Sequence, residues 1–361
     1  MEVEIKLVRH RQAEKELVDL FQASFKLDKS HEIWRWKYTE NPLASEDPDI
    51  IVAACDGKIV GARPFVVLEF WIKSEKAKAA LFSDTMVHPD YQGKGIFSLM
   101  NKFAFDRLRQ DGCALFFNYP NKNSLGGYLR QGSKIVSYIE HYFIPVNPQK
   151  LISNKLNNRA LGLSLGFLYG VLAHTPVKNP VQQSNSLKVD ILDQFNPQLN
   201  SLDALRDRAA ISPVRSQSYL AWRFDKNPVR EFKYILLNRG EELLGYAVIC
   251  IRRKKNGLVL GRIEDYLVKD NISDHFRLLI SGCINVLTEM GVDIISLYSF
   301  TDSKFNTELT GHLGFKSPSA FPYNRIVQKL VFTVRLIDEA VIEKLDVYDR
   351  INWDFSLANP E

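Results

Sequence analysis

The sequence predicts an α/β chain made of two tandem copies of one domain, each a mixed central sheet flanked by helices. Three observations carry this prediction. First, WRWKYTENP, which begins at Trp34, returns as WRFDKNPVR from Trp222. Second, landmarks recur at near-constant offsets: 188 from Trp34 to Trp222, 181 from Asp84 to Asp265, 179 from Gly112 to Gly291 and 182 from Gly132 to Gly314. A fixed offset over this length means two copies of one unit with small loop differences. Third, the 361 residues are 45% hydrophobic and 25% charged, an ordinary globular composition. That length suits two domains of roughly 150 to 180 residues better than one.

Each copy reads in the same order. A helix leads to the Trp-Arg segment. DIIVAACDGKIVGARPFVVLEFWI then gives two β-rich runs around Gly57, and EFKYILLNRGEELLGYAVICIRR gives two around Gly240. The next strands are LFSDTMVHPD, ending at Asp90, and GRIEDYLVKD, ending at Asp270. A helix closed by Gly112 or Gly291 follows, then a strand, then a helix closed by Gly132 or Gly314, then a last strand. A meander of strands passing into alternating α and β implies a mixed sheet with helices on both faces. The expected boundaries are 1–147 for the first domain, 148–187 for a connecting helix and linker, and 188–361 for the second.

Within the connector, Ala160 to Ala173 is 14 residues without a charge. It is too short to cross a bilayer, which takes about 20 residues. Gly162, Gly166 and Gly170 share one helix face. Two readings stay open. The segment is a connecting helix packed between domains, or a weak membrane-surface contact with Lys150, Lys155 and Arg159 at the headgroups.

The net charge of +5 is small and scattered. It excludes an argument for nucleic acid but tolerates an anionic cofactor. Cys55, Cys113, Cys250 and Cys283 lie far apart, without CxxC or metal-ligand spacing, so no metal is expected and the compartment is a reducing one. The N-terminus is charged from its second residue and is no secretory signal. The expected location is cytoplasmic, membrane-peripheral if the uncharged segment touches lipid.

The stretch HPDYQGKGIFSLM from His88 to Met100 joins a strand, Leu81 to Val87, to a helix, Ile96 to Leu108. A strand, a glycine turn and a helix start together present free backbone N–H groups and the positive end of a helix dipole. Such a corner binds phosphate. Gly93 and Gly95 remove side chains that would block the approach, and Lys94 adds a positive charge. Glycines can also serve only to turn the chain. The second copy supplies an internal control, because VKDNISDHFRLL turns the same corner without any glycine.

VHPDYQGKGI resembles motif A of the GNAT superfamily of acyl-CoA-dependent N-acyltransferases, Gln/Arg-x-x-Gly-x-Gly/Ala after a strand ending Val-x-Pro. Gln92 and Gly95 match its first and fourth positions, and Phe97 stands where Gly or Ala is usual. A second motif follows: Asn121-x-x-Ser124-x-x-x-Tyr128-x-x-x-Gly132, with Ser133 in place of the family's Phe. The resemblance covers roughly residues 3–145 with motifs, and the second copy shares only the pattern of the fold.

The resemblance implies roles. The backbone of Met86 and Val87 would pair with the pantetheine arm of acetyl-CoA or another acyl-CoA. The N–H groups of Gln92, Gly93, Lys94, Gly95, Ile96 and Phe97 would hold its pyrophosphate. Tyr128 would protonate the leaving thiolate. Asn121 would hydrogen-bond the cofactor or cap its helix. Asp84, three residues before Val87, is a candidate base for the acceptor amine. His88, Glu69 and the terminal carboxylate of Glu361 are alternatives. Yet Asp265 holds the same place in a second copy that has Thr310 at the Tyr128 position and no glycine loop. That copy is expected to be degenerate and to shape an acceptor pocket between the domains.

Trp34, Trp36 and Trp222 with Arg35 and Arg223 either stack on a sugar or anchor helices to the sheet. Their presence in both copies favours the anchor. The tandem arrangement, the WRWKY segment and the INWDFSLANPE ending resemble bacterial GNAT proteins of surface-polysaccharide synthesis, which implies a small-molecule amine acceptor, an amino sugar. The tandem aminoglycoside acetyltransferases are a related option. The rival readings are a Fem-like aminoacyl transferase and a non-catalytic CoA-binding scaffold.

Overall fold

The computed structural model describes residues 2–27, 29–156, 186–317, 329–341 and 345–354. The uncharged segment 160–173 and the terminal carboxylate of Glu361 lie outside the described residues.

The first copy runs β1 (Glu4–Arg9), α1 (His10–Phe25), α2 (His31–Tyr38), β2 (Asp49–Cys55), β3 (Lys58–Arg63), β4 (Phe65–Ile72), β5 (Glu75–Phe82), β6 (Met86–Val87), α3 (Ile96–Gln110), β7 (Cys113–Asn118), α4 (Leu125–Arg130) and β8 (Lys134–Pro145). A helix α5 (Pro148–Leu156) leads out. The second copy runs β9 (Leu187–Leu192), β10 (Ile211–Pro213), α6 (Gln217–Leu220), β11 (Phe232–Arg239), β12 (Glu242–Arg253), β13 (Val259–Val268), α7 (Ser273–Glu289), β14 (Ile294–Phe300), α8 (Asn306–Gly311) and β15 (Leu330–Leu336). The mixed α/β class is as the sequence predicts. Two expected strands of the first copy are broken in two. Pro64, which has no N–H to give a ladder, separates β3 from β4. Asp84, at φ 54°, separates β5 from β6.

The strands form a four-stranded sheet, β1-β2-β3-β6, and an eleven-stranded one, β10-β4-β5-β7-β15-β8-β14-β13-β12-β11-β9. Within the larger sheet β5–β7 and β13–β14 are parallel and the remaining pairs antiparallel. Its order crosses the expected domain boundary. The last strand of the first copy, β8, lies on β14 of the second, with Ile294 opposite Pro145. The last strand of the second copy, β15, lies on β7 of the first, with Thr333 opposite Asn118. The two final strands are therefore exchanged, and they also pair with each other. β10 adds a further crossing by pairing with β4.

The repeated Trp segments meet where the copies face each other. Trp36 Nε1 donates to the Trp222 carbonyl at 2.7 Å, and Trp222 Nε1 donates to the Trp36 carbonyl at 2.7 Å. The rings stack 5.5 Å apart. This reciprocal pair sets the register of the repeat at an offset of 186, not the 188 that matches Trp34 to Trp222. The same offset relates Ser30 to Ser216, each accepting from the N–H three residues on at 3.2 Å and so capping its helix. It also relates Asn41 to Asn227, each accepting from the N–H two residues on. Trp34, Trp36 and Trp222 are all buried, which corrects the sugar-stacking alternative: no face is left for a ligand. They are the anchor, between the copies rather than between helix and sheet alone.

Candidate functional site

The site starts from a parting of strands. β5 and β7 run parallel from Lys78 and Cys113 to Leu81 and Phe117. Beyond Leu81 the chain breaks at Asp84 and β6 joins β3 instead. β6 is the edge of its sheet, so one side of the Met86–Val87 backbone is unpaired by strands. The gap is a cleft of about 860 Å³. Thr85, Val87, Gln92, Gly95, Asn121 and Tyr128 all line it, and every lining residue lies between Ser24 and Arg130. Among the described residues this cleft is walled by the first copy alone.

Gly93 (φ 75°) and Gly95 (φ 80°) are both left-handed, and nothing lies within 4 Å of where their Cβ atoms would stand. That backbone strains any residue with a side chain by roughly 1–2 kcal/mol. Gly95 caps α3, and its carbonyl accepts from the Ser98 N–H at 3.0 Å, which leaves the N–H groups of Ile96 and Phe97 without an intrahelical acceptor. Gln92 Nε2 donates to the Val87 carbonyl at 3.1 Å and ties the loop to β6. Lys94 sits over the Tyr91 ring at 4.9 Å. Phe97, the departure from the motif, packs against Gly127, where a Cβ would approach its ring to 2.6 Å. Its bulk is absorbed by that glycine.

Asn121 Oδ1 accepts from the N–H groups of Asn123 (2.9 Å) and Ser124 (3.1 Å), so its oxygen serves the turn into α4. Tyr128 is buried, with its hydroxyl accepting from Arg63 Nη2 at 3.0 Å and its ring edge-on to Phe97. Arg63 Nη1 donates to Thr85 Oγ1 at 2.7 Å. Burial lowers the Arg63 guanidinium from its ordinary value, and Tyr128 opposes that. Neither Arg63 nor Thr85 was expected as a site residue.

Asp84 lines the same cleft and is heavily paired there. Its carboxylate receives Lys29, Lys37 (3.1 Å) and the Tyr38 hydroxyl (2.5 Å). Burial alone would raise it, but the two lysines hold it below the ordinary carboxylate range. A carboxylate so stabilised is a weak base. Burial brings the Lys37 ammonium down to about 8, against the pull of Asp84. Asp265 is held alike, by Arg215 (2.7 and 2.8 Å) and the Tyr246 hydroxyl. The aspartate that both copies share is an ion-pair anchor. The alternative bases fare no better. Glu69 lies on β4 near Lys76 at 4.0 Å, and His88 turns its Nδ1 to the Asp90 N–H; neither lines the cleft.

Among the described residues no group of three or more His, Cys, Asp or Glu side chains is placed to hold a metal, and no helix is long and apolar enough to cross a membrane. The four cysteines are buried and unbridged.

Residues 4–135 match the family model of the acetyltransferase (GNAT) domain. No curated protein matches the chain in sequence. Solved structures share its fold. A GCN5-related N-acetyltransferase from Anabaena variabilis is similar at TM-score 0.64 and 12% identity, over 94% of this chain and 74% of that one. A tandem GNAT protein from the clavulanic acid biosynthesis pathway is similar at TM-score 0.58 and 12% identity, over 92% and 99%. Eis1 from Mycobacterium abscessus is similar at TM-score 0.57 and 14% identity, over 95% and 76%. The fold is thus that of two GNAT-like domains in tandem. The first holds the stretch that matches the acetyltransferase (GNAT) domain model.

Proposed function

We propose that the chain is an N-acyltransferase, moving an acetyl or similar acyl group from acyl-CoA to a primary amine by direct attack in a ternary complex. One observation carries the reading: a single cleft gathers a left-handed glycine loop, an unpaired strand edge and the Tyr128 hydroxyl. An acyl-CoA fits these features in order. Its pyrophosphate suits the N–H groups of residues 93–97, the Gln92 N–H being given to the Pro89 carbonyl, and Gly93 and Gly95 keep that approach open. Its pantetheine amides suit the strand-free edge at Met86 and Val87, where they would take the place of the Gln92 side chain on the Val87 carbonyl. Its sulfur then lies toward Tyr128, whose hydroxyl can supply a proton to the departing thiolate. Asn121 shapes the turn that presents Tyr128.

Asp84 is not carried forward as the base. With Lys29 and Lys37 beside it the cluster is net positive, an environment that favours the uncharged, nucleophilic form of an acceptor amine. An amino sugar is the acceptor class favoured by the resemblance to polysaccharide-associated relatives. The glycine loop favours acyl-CoA over aminoacyl-tRNA as donor.

Thiol release from acetyl-CoA, measured against a panel of amino sugars and simple amines, tests this. The reading expects acceptor-dependent release and an N-acetylated product. Release with water alone would mean thioester hydrolysis instead of acyl transfer, and none with any amine while acetyl-CoA is bound would leave a CoA-binding scaffold.

A further inference from the structure

We propose that Arg63 is a positioning residue that aims the two hydroxyls of the cleft, Tyr128 and Thr85, and that Thr85 is the donor to the acyl carbonyl oxygen. The proposal rests on the N-acyltransferase reading and adds residues to it.

Arg63 ends β3 and is fully buried. Its Nη2 reaches the Tyr128 hydroxyl at 3.0 Å and its Nη1 reaches Thr85 Oγ1 at 2.7 Å. A guanidinium has donors only, so both oxygens must accept from it. Each hydroxyl's own hydrogen is then free to point elsewhere. Tyr128 and Thr85 line the cleft and Arg63 does not, so the two hydrogens have the cleft before them. The fork of the guanidinium fixes both oxygens at once, which a lysine could not do.

The rings around Arg63 hold it in place, but nothing among the described residues neutralises it. It lies 3.9 Å from the Phe82 ring centre, 5.3 Å from that of Phe97 and 5.2 Å from that of Tyr128. Its Nε has no hydrogen-bond partner among the described residues. No carboxylate among them lies within ion-pair distance of it, whereas Arg215 in the second copy meets Asp265 at 2.7 Å. A buried cation without an anion costs stability.

The second copy supplies the contrast. Gly61 stands opposite Val87, and Gly245 opposite Val268. That register makes Ala247 the counterpart of Arg63 and Tyr266 that of Thr85, while Thr310 answers to Tyr128. All three groups are replaced together. Tyr266, Phe276 and Phe305 pack as an aromatic cluster at that corner, with Phe276 and Phe305 stacked at 4.1 Å.

In the reaction the amine nitrogen forms a bond to the acyl carbon, and the carbonyl pair moves onto oxygen, where the Thr85 O–H donates a hydrogen bond. Collapse breaks the C–S bond, and sulfur takes the Tyr128 proton. The nitrogen loses its extra proton to water. The phenolate, facing Arg63, regains one from water. The products are an amide and free CoA thiol.

The test is a double-mutant cycle on kcat, with KM for acetyl-CoA and the thermal midpoint read on the same proteins. Arg63→Met is expected to lower kcat roughly 10- to 100-fold with KM within about threefold. Its midpoint stays or rises, where loss of a structural arginine would lower it. Adding Tyr128→Phe to Arg63→Met should slow turnover by no more than about threefold beyond the slower single variant. Arg63→Lys should also lose about tenfold, and Thr85→Val about tenfold, in kcat. Unchanged kcat in Arg63→Met, or losses that multiply in the pair, would overturn the role of Arg63; unchanged kcat in Thr85→Val would overturn that of Thr85. If Arg63→Met does not fold, Arg63→Lys and its pair with Tyr128→Phe decide. If Tyr128→Phe alone turns over like the parent, it is the Tyr128 reading that fails instead.

Discussion

The two copies treat the same corner in opposite ways. In the first, the strand breaks at Asp84, β6 turns aside, and two left-handed glycines lead into α3 beside an open cleft. In the second, β13 runs unbroken from Val259 to Val268, and Asp270 and Asn271 make the turn at φ 52° and 53°. An aromatic cluster packs where the first copy keeps hydroxyls. What survives in both halves is the framework: the capping serines, the tryptophan pair, the Asx turns and an aspartate held by cations. What only the first half has is the glycine loop, Tyr128, Thr85 and Arg63. The shared part builds the fold and the unshared part builds the site.

That division can be broken at several points. Trp222→Ala removes one half of the reciprocal clasp and should cost about 3–5 kcal/mol of stability, seen as a lowered unfolding midpoint. Because the final strands are exchanged, both halves should unfold in one transition. A variant with only the second half melted would mean the copies fold apart. Tyr128→Phe acts on the unshared part. It should lower kcat by about 10² to 10³ with the acetyl-CoA affinity little changed. Equal loss of affinity and turnover would make Tyr128 a packing aromatic.

Asp84→Asn acts on the shared part and should cost about 2–3 kcal/mol by stranding Lys29 and Lys37. The sign with pH follows. Asp84 is held below the ordinary carboxylate range in the folded chain. Its contribution is therefore fully present above about pH 3.9, the unfolded value. It is lost as pH falls through the lower folded value. Denaturant midpoints of parent and variant should stay a constant distance apart between about pH 5 and 7 and converge in stronger acid. Convergence already near neutrality would contradict the ion-pair assignment. The smallest effect is expected at Gly95→Asp, which puts a side chain and a negative charge at the cap of α3. A strained backbone and a negative charge at the loop should weaken acetyl-CoA binding by about 10- to 30-fold. Unaltered affinity would remove the loop from the binding site.

Much of this was legible in the sequence because a repeat carries its own comparison. The contrast between the two corners and most of the element order follow from offsets and glycines alone; the opening strands β1 and β9 and the short β10 do not. The Trp register did not, since Trp34 and Trp36 lie two apart and either can be matched to Trp222; only the paired hydrogen bonds choose. The strand exchange was invisible, because a strand's pattern does not name its partner. Asp84 looked like a base because its partners Lys29, Lys37 and Tyr38 lie 46–55 residues away along the chain. Arg63 was missed for the same reason, 65 residues from Tyr128 with no spacing to link them. The split of one strand at Pro64 was missed as well, although the proline was in plain view.

On the proposed function, one half of the two-copy fold holds acyl-CoA and the other does not. Calorimetric titration of acetyl-CoA into the intact chain counts the sites. One site per chain, weakened by Gly95→Asp and untouched by Asp274→Gly, is the predicted result. Two equivalent sites, or no heat of binding at all, would contradict it.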